Sequence, residues 1–134
     1  MPILTPEVEI GTELPEIACQ FQLEDFKRGD AQTIHTDMQA AAREGLRAPV
    51  ATGPQVAALV FRQLRMAFGK GWIEGGHCKL KFMRPVYVTD FCVARAKVAG
   101  REQTAEGTRV FCDVWIENQN AEKVIAGTAS GVLA

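Results

Sequence analysis

Thr52-Gly53-Pro54-Gln55-Val56-Ala57-Ala58-Leu59-Val60-Phe61-Arg62-Gln63-Leu64-Arg65-Met66-Ala67-Phe68 is the longest helical pattern in the sequence. Thr52 is placed to cap it, and Pro54 suits a first turn, where its missing N–H costs nothing. Val56, Ala57, Leu59, Val60, Phe61, Leu64, Ala67 and Phe68 cover most of its circumference. A helix apolar on so many sides is buried. Gly69-Lys70-Gly71 follows and reads as its end.

Outward from this helix the pattern changes on both sides. Toward the N-terminus, Glu16 to Leu23 alternates, with Ile17, Cys19, Phe21 and Leu23 on one face, as a half-buried strand does. Asp37 precedes Met38-Gln39-Ala40-Ala41-Ala42-Arg43-Glu44, and Gly45 follows: a cap, a short helix and a stop. Toward the C-terminus the chain turns to strands. Gly76 to Met83 alternates, with Cys78, Leu80 and Phe82 inward. Phe91 to Val98, Thr108 to Glu117 and Lys123 to Leu133 follow, with turns expected at Ala99-Gly100-Arg101, Glu106-Gly107 and Asn118-Gln119-Asn120. Helices early and strands late predict an α+β domain with an antiparallel sheet, curved around one long helix.

Composition bounds the function. The chain has 134 residues, 47% of them hydrophobic, the size of one domain with one core, and residues 1–134 read as a single domain. A net charge of −1 leaves no basic excess, so nucleic acid is not the expected partner. No apolar run approaches the ~20 residues that span a bilayer, so no membrane is expected either. Cys19, Cys78, Cys92 and Cys112 form no CxxC pair, so no metal and no cofactor is expected. Each lies in an alternating stretch and reads as a buried free thiol, which points to the cytoplasm.

General acid–base chemistry has one obvious address. Gly29-Asp30-Ala31-Gln32-Thr33-Ile34-His35-Thr36-Asp37 sets one of only two histidines five residues after an acid, just ahead of a helix. Taken alone, His35 is also compatible with a loop residue bonded locally, Asp30 with a turn residue, and Asp37 with a helix cap.

Six segments in order then resemble the MaoC-like (R)-specific enoyl-CoA hydratase family of hot-dog proteins: Glu9-Ile10-Gly11-Thr12-Glu13-Leu14-Pro15; Gly29-Asp30 with Ile34-His35-Thr36-Asp37, similar to the G-D-x-N-P-x-H-x-D signature; Ala41, Ala42 and Gly45; Ala51-Thr52-Gly53; Phe82 to Val86 with Asp90; and Asn118-Gln119-Asn120 with Val124 to Ala129. Gln32-Thr33 stands where the family has Asn-Pro, and Thr52 where it often has His.

The resemblance implies a single hot-dog domain that adds water reversibly to a trans-2-enoyl-CoA. It implies Asp30 as the base that activates water and His35 as the proton donor, with Gly53 supplying an oxyanion-hole N–H and Asp37 and Thr52 in support. It also implies an acyl-CoA or acyl-carrier-protein thioester as substrate, and a homodimer or dimer of dimers that joins two sheets. The physics of the residue types fits in part: an ordinary aspartate, near pKa ~3.9, is a feeble base at neutral pH, whereas histidine, near ~6.5, serves either way. Pro54 has no N–H, which leaves Gly53 as the donor at the helix start. Other hot-dog enzymes place an acid on the central helix, and none occurs from Pro54 to Phe68. The competing expectations are a non-catalytic or partner subunit that binds acyl-CoA, and a dehydratase subunit acting on carrier-protein thioesters. Lys79, Lys81 and Arg84 are candidates for the carrier's phosphates, or solvated charges on a strand. Trp72, Trp115 and Phe82 read as packing, and Val56, Val60 and Leu64 as candidates to line an acyl tunnel.

Overall fold

The computed structural model describes residues 2–27 and 32–134. Five strands form one antiparallel sheet: β1 (Ile17–Gln20), β2 (His77–Phe82), β3 (Phe91–Thr104), β4 (Gly107–Glu117) and β5 (Lys123–Leu133), in the order β1-β3-β4-β5-β2. Three helices accompany them: α1 (Met38–Arg43), α2 (Gly53–Phe68) and α3 (Lys70–Gly75).

The alternation read from the sequence sets which way each strand faces. On β4, Val110, Cys112, Val114 and Ile116 point to the core, and Arg109, Phe111 and Asp113 point away. α2 lies across the inward face, where Val60, Leu64 and Phe68 pack among Val98, Val110, Val114 and Ile125. Each such side chain stabilises the fold by about 1.5–3 kcal/mol through burial. The sheet comes close beneath α2: a methyl added at Gly131 would lie 2.5 Å from the Phe68 ring, so only glycine fits there. Gln63, on the same helix, is 2% exposed. Its amide donates to the carbonyls of Pro15 and Ala94, tying α2 to the segment before β1 and to β3.

This is the expected hot-dog arrangement, a curved sheet against one central helix, with four local differences. β1 stops at Gln20, because Leu23–Phe26 forms a 3-10 turn whose Asp25 carboxylate accepts from the Gln22 N–H at 2.9 Å. The expected turn at Ala99-Gly100-Arg101 is a bulge inside β3, and the β3–β4 hairpin turns only after Thr104. Gly69, at φ 60°, ends α2 as expected, yet the chain re-enters a helix, α3, at once. Phe82 faces the start of α2 but is not buried there; it is 57% exposed. All four cysteines are free, Cys92 and Cys112 fully enclosed.

β2 leaves one long edge of the sheet without a neighbour among the described residues. Asp90, 5% exposed, closes the loop before β3: it accepts from the Tyr87 N–H at 2.8 Å and from the Gln119 amide at 2.9 Å.

Candidate functional site

The N-terminus of α2 is built by Thr52. Its backbone is extended, and its hydroxyl oxygen accepts from the Gln55 N–H at 3.3 Å while donating to the Gln55 side-chain oxygen at 2.5 Å. The Gln55 amide nitrogen donates to the Asp25 carbonyl at 3.0 Å, so the cap is braced against the 3-10 turn. Thr52 O accepts from the Val56 N–H. The Gln55 and Val56 donors are therefore engaged and Pro54 has none. The Gly53 N–H has no acceptor among the described residues. It sits at the positive end of a 16-residue helix, where partial charge favours an anion.

His35 is held beside this terminus by the chain leading into it. Val50 N–H donates to Ile34 O at 2.9 Å, and His35 Nδ1 lies 2.7 Å from Val50 O. A carbonyl only accepts, so Nδ1 carries a proton. In the neutral ring Nε2 is then the unprotonated nitrogen, a proton acceptor. The His35 N–H donates to Thr33 Oγ1 at 3.1 Å, which fixes the turn.

His35 and Thr52 share a cavity of about 230 Å³ with Asp25, Phe26, Thr33 and Gln55, most of them polar residues. Gly53, one residue on, lines two apolar grooves beside it. One, of about 350 Å³, is walled by Leu46, Val50, Val56, Met83 and Val86. The other, of about 560 Å³, runs between α2 and β2 past Ala57, Phe61, Cys78 and Leu80. Phe82 lines both grooves, and a methyl on Gly53 would lie 3.4 Å from its ring.

The other sequence candidates fall as follows. Asp30 lies outside the described residues. Asp37 caps α1, accepting from the Ala40 N–H at 2.8 Å. His77, Lys79 and Lys81 are exposed on β2, and Arg84 lines a groove. Val60 and Leu64 belong to the core, so the grooves take Val56, Ala57 and Phe61 from α2. Trp72 packs on Phe61, and Trp115 lies under Lys123 on the outer face of the sheet. Gln55 and Asp25 are additions the sequence did not suggest: a polar residue in a first helical turn and an acid before a short turn carry no motif. Burial disfavours the thiolate form of the cysteines. Burial pushes Cys92 and Cys112 up to about 12, and it raises Cys19 and Cys78 too.

A family model described as the MaoC like domain matches residues 4–119, most of the chain. The protein belongs to the MaoC-like dehydratase family. Solved structures agree on the fold of this MaoC-like domain. The (R)-hydratase from A. caviae involved in PHA biosynthesis aligns with a TM-score of 0.73 at 20% identity, over 96% of this chain and 98% of that one. The MaoC-like dehydratase from Rhodospirillum rubrum aligns at 0.76 and 21%, over 95% and 93%. The C-terminally truncated HadBC (3R-hydroxyacyl-ACP dehydratase) complex from Mycobacterium tuberculosis aligns at 0.64 and 18%, over 91% and 95%. No curated protein matches the sequence.

Proposed function

We propose that this MaoC-like domain catalyses reversible addition of water to a trans-2-enoyl thioester, giving a 3-hydroxyacyl thioester. The observation that carries the reading is the bond from His35 Nδ1–H to Val50 O. It leaves the ring's other nitrogen as a base, in a cavity shared with the residue that caps α2.

In the hydration direction Nε2 takes a proton from water as the water oxygen bonds to C3. The C2=C3 electron pair shifts toward the thioester, and the carbonyl oxygen gains negative charge. The free Gly53 N–H, at the positive end of α2, is suited to hold that charge. A proton then goes to C2, and the imidazolium just formed is one source. Asp30, which the family signature pairs with His35, is the other acid–base group. The fixed tautomer supports His35 as the water-activating base, the reverse of the division of labour the resemblance implies. The acyl chain would lie in the apolar grooves that Gly53 lines.

The same reading includes a two-fold homodimer. β2 has no strand on its outer side among the described residues, and Phe61, Phe82 and Leu80 give the groove beside it an apolar surface that a second copy would cover. Light scattering should return twice the mass of one chain, and a monomer would contradict this.

Turnover of crotonyl-CoA, followed as loss of the enoyl-thioester ultraviolet absorbance, tests the reading, with crotonyl on acyl carrier protein as the second substrate. Absence of turnover on both carriers at every chain length would sink it.

A further inference from the structure

Cys19 on β1 and Cys92 on β3 stand directly opposite each other in the sheet. Opposed residues of an antiparallel pair point to the same face, and here both side chains pack on the core. Their exposure differs. Cys92 is 0% exposed, whereas Cys19, on an edge strand, is half-buried.

The ladder sets their separation. The Phe21 N–H donates to Asp90 O at 3.0 Å, two residues beyond the cysteines on both strands. Hydrogen-bonded pairs alternate along an antiparallel ladder, so Cys19 and Cys92 form another. Cα atoms in such a pair stand about 5.5 Å apart, inside the window of ~4.4–6.8 Å that a disulfide spans. Their Cβ atoms stand about 4.5–5.5 Å apart, and a disulfide draws these to ~3.8 Å. The strands must close slightly, which leaves a bond under strain and easily reduced. β1 is free to move: it is four residues long, and β3 is its only strand neighbour among the described residues.

The other two thiols are a built-in contrast. Cys78 and Cys112 both stand opposite Ala129, one on each side of β5. Two strand spacings separate them, about 9.5 Å, too far for a disulfide.

We propose that Cys19 and Cys92 are a redox site, forming a reversible disulfide that fastens β1 to β3. The site is independent of the hydratase reading. Its oxidant is a small-molecule disulfide. The Cys19 thiolate attacks one sulfur of that molecule, breaks its S–S bond and expels one small thiolate, leaving a mixed disulfide on Cys19. The Cys92 thiolate then attacks the Cys19 sulfur and expels the second. Two electrons pass from the pair to the oxidant, and the two protons the cysteines lose end on the two small thiols. Cys19 reacts first because it is the thiol that meets solvent. Burial and the Asp25 carboxylate push it up, an effect Arg62 offsets in part, so oxidation at neutral pH takes on the order of hours.

The test incubates the purified full chain with glutathione disulfide, unfolds it with N-ethylmaleimide present, and maps its peptides by mass spectrometry without reduction. The Cys19 and Cys92 peptides should be joined, with Cys78 and Cys112 alkylated, and excess glutathione should undo the bond. Cys92→Ala should stop at one glutathione on Cys19, and Cys19→Ser should leave Cys92 unmodified. The oxidised wild type should melt at least about 3 °C above the reduced form, since the bond closes a loop of about 70 residues.

Wild type that carries glutathione on Cys19 without a cross-link overturns the proposal. So does a cross-link to Cys78 or Cys112, or no modification at all. A Cys19–Cys92 bond that fails to raise Tm overturns it too, because such a bond does not fit the folded sheet, as does one that glutathione cannot reduce.

Discussion

The two sides of the Val50–Gly53 segment differ in kind. One faces a cavity of about 230 Å³ lined mainly by polar residues, whose side chains are fixed by hydrogen bonds: His35 to Val50, Thr52 to Gln55, Gln55 to Asp25. The other faces grooves lined by Leu46, Val56, Ala57, Phe61 and Phe82, where burial needs area and no particular geometry. Both meet at the start of α2. Proton transfer depends on fixed partners and chain recognition on apolar surface, so damage to the two sides should register in different kinetic constants. Size alone is a poor guide. A cavity of about 840 Å³, larger than those His35 and Gly53 line, lies at the far end of α2 beside Phe68, Lys70 and Arg109. None of His35, Thr52 and Gly53 lines it.

On the polar side His35→Ala should lower kcat at least ~10²-fold with KM little changed, the smallest loss expected for a general acid or base. Steady-state kinetics on crotonyl-CoA read it, with circular dichroism to show the fold intact. A loss confined to KM would mean that the ring binds substrate rather than moving a proton, and the contrast between the two sides would collapse.

On the apolar side Phe82→Ala should do the opposite. The ring lines both grooves that Gly53 lines, so it is placed to touch a bound acyl chain. Removing it should cost about 1.4 kcal/mol of binding, a tenfold rise in KM, with kcat within about threefold. The rise should grow with chain length, as a series of enoyl-CoA substrates would show. An effect of the same size for every chain length would place the ring against the thioester or a second subunit instead of the chain.

The parts legible in the sequence are those where one local rule acts alone. α2 was readable because its cap, its proline and its apolar periodicity agree. α3 was not. Gly69-Lys70-Gly71 read as an end, yet Gly71 is small because β5 passes close by: a methyl on it would overlap the Val132 carbonyl. Gly100 likewise read as a turn, whereas it lies within a strand at a bulge, a distinction that depends on the partner strand. Phe82 read as inward because alternation reports which face of a sheet a residue occupies. It does not report whether α2 reaches far enough to cover that face, and at Gly53 it does not. Gln55 was invisible for a related reason. Its bond to the Asp25 carbonyl, 30 residues away, exists only once α2 docks on the 3-10 turn.

That docking gives a smaller test within the polar side. Thr52→Val keeps the shape and removes the hydroxyl, so Gln55 loses both its backbone cap and one side-chain partner. The expected cost is about 1 kcal/mol of stability, a fall of a few degrees in Tm, with Thr52→Ser close to wild type. Activity should drop by less than about threefold, because the hydroxyl already donates to Gln55 and so is not offering its proton to a substrate. If Thr52→Val instead lowered kcat as far as His35→Ala does, with Tm unmoved, the hydroxyl would belong to the proton path. The polar cavity would then hold a second reacting group where the family frequently has histidine.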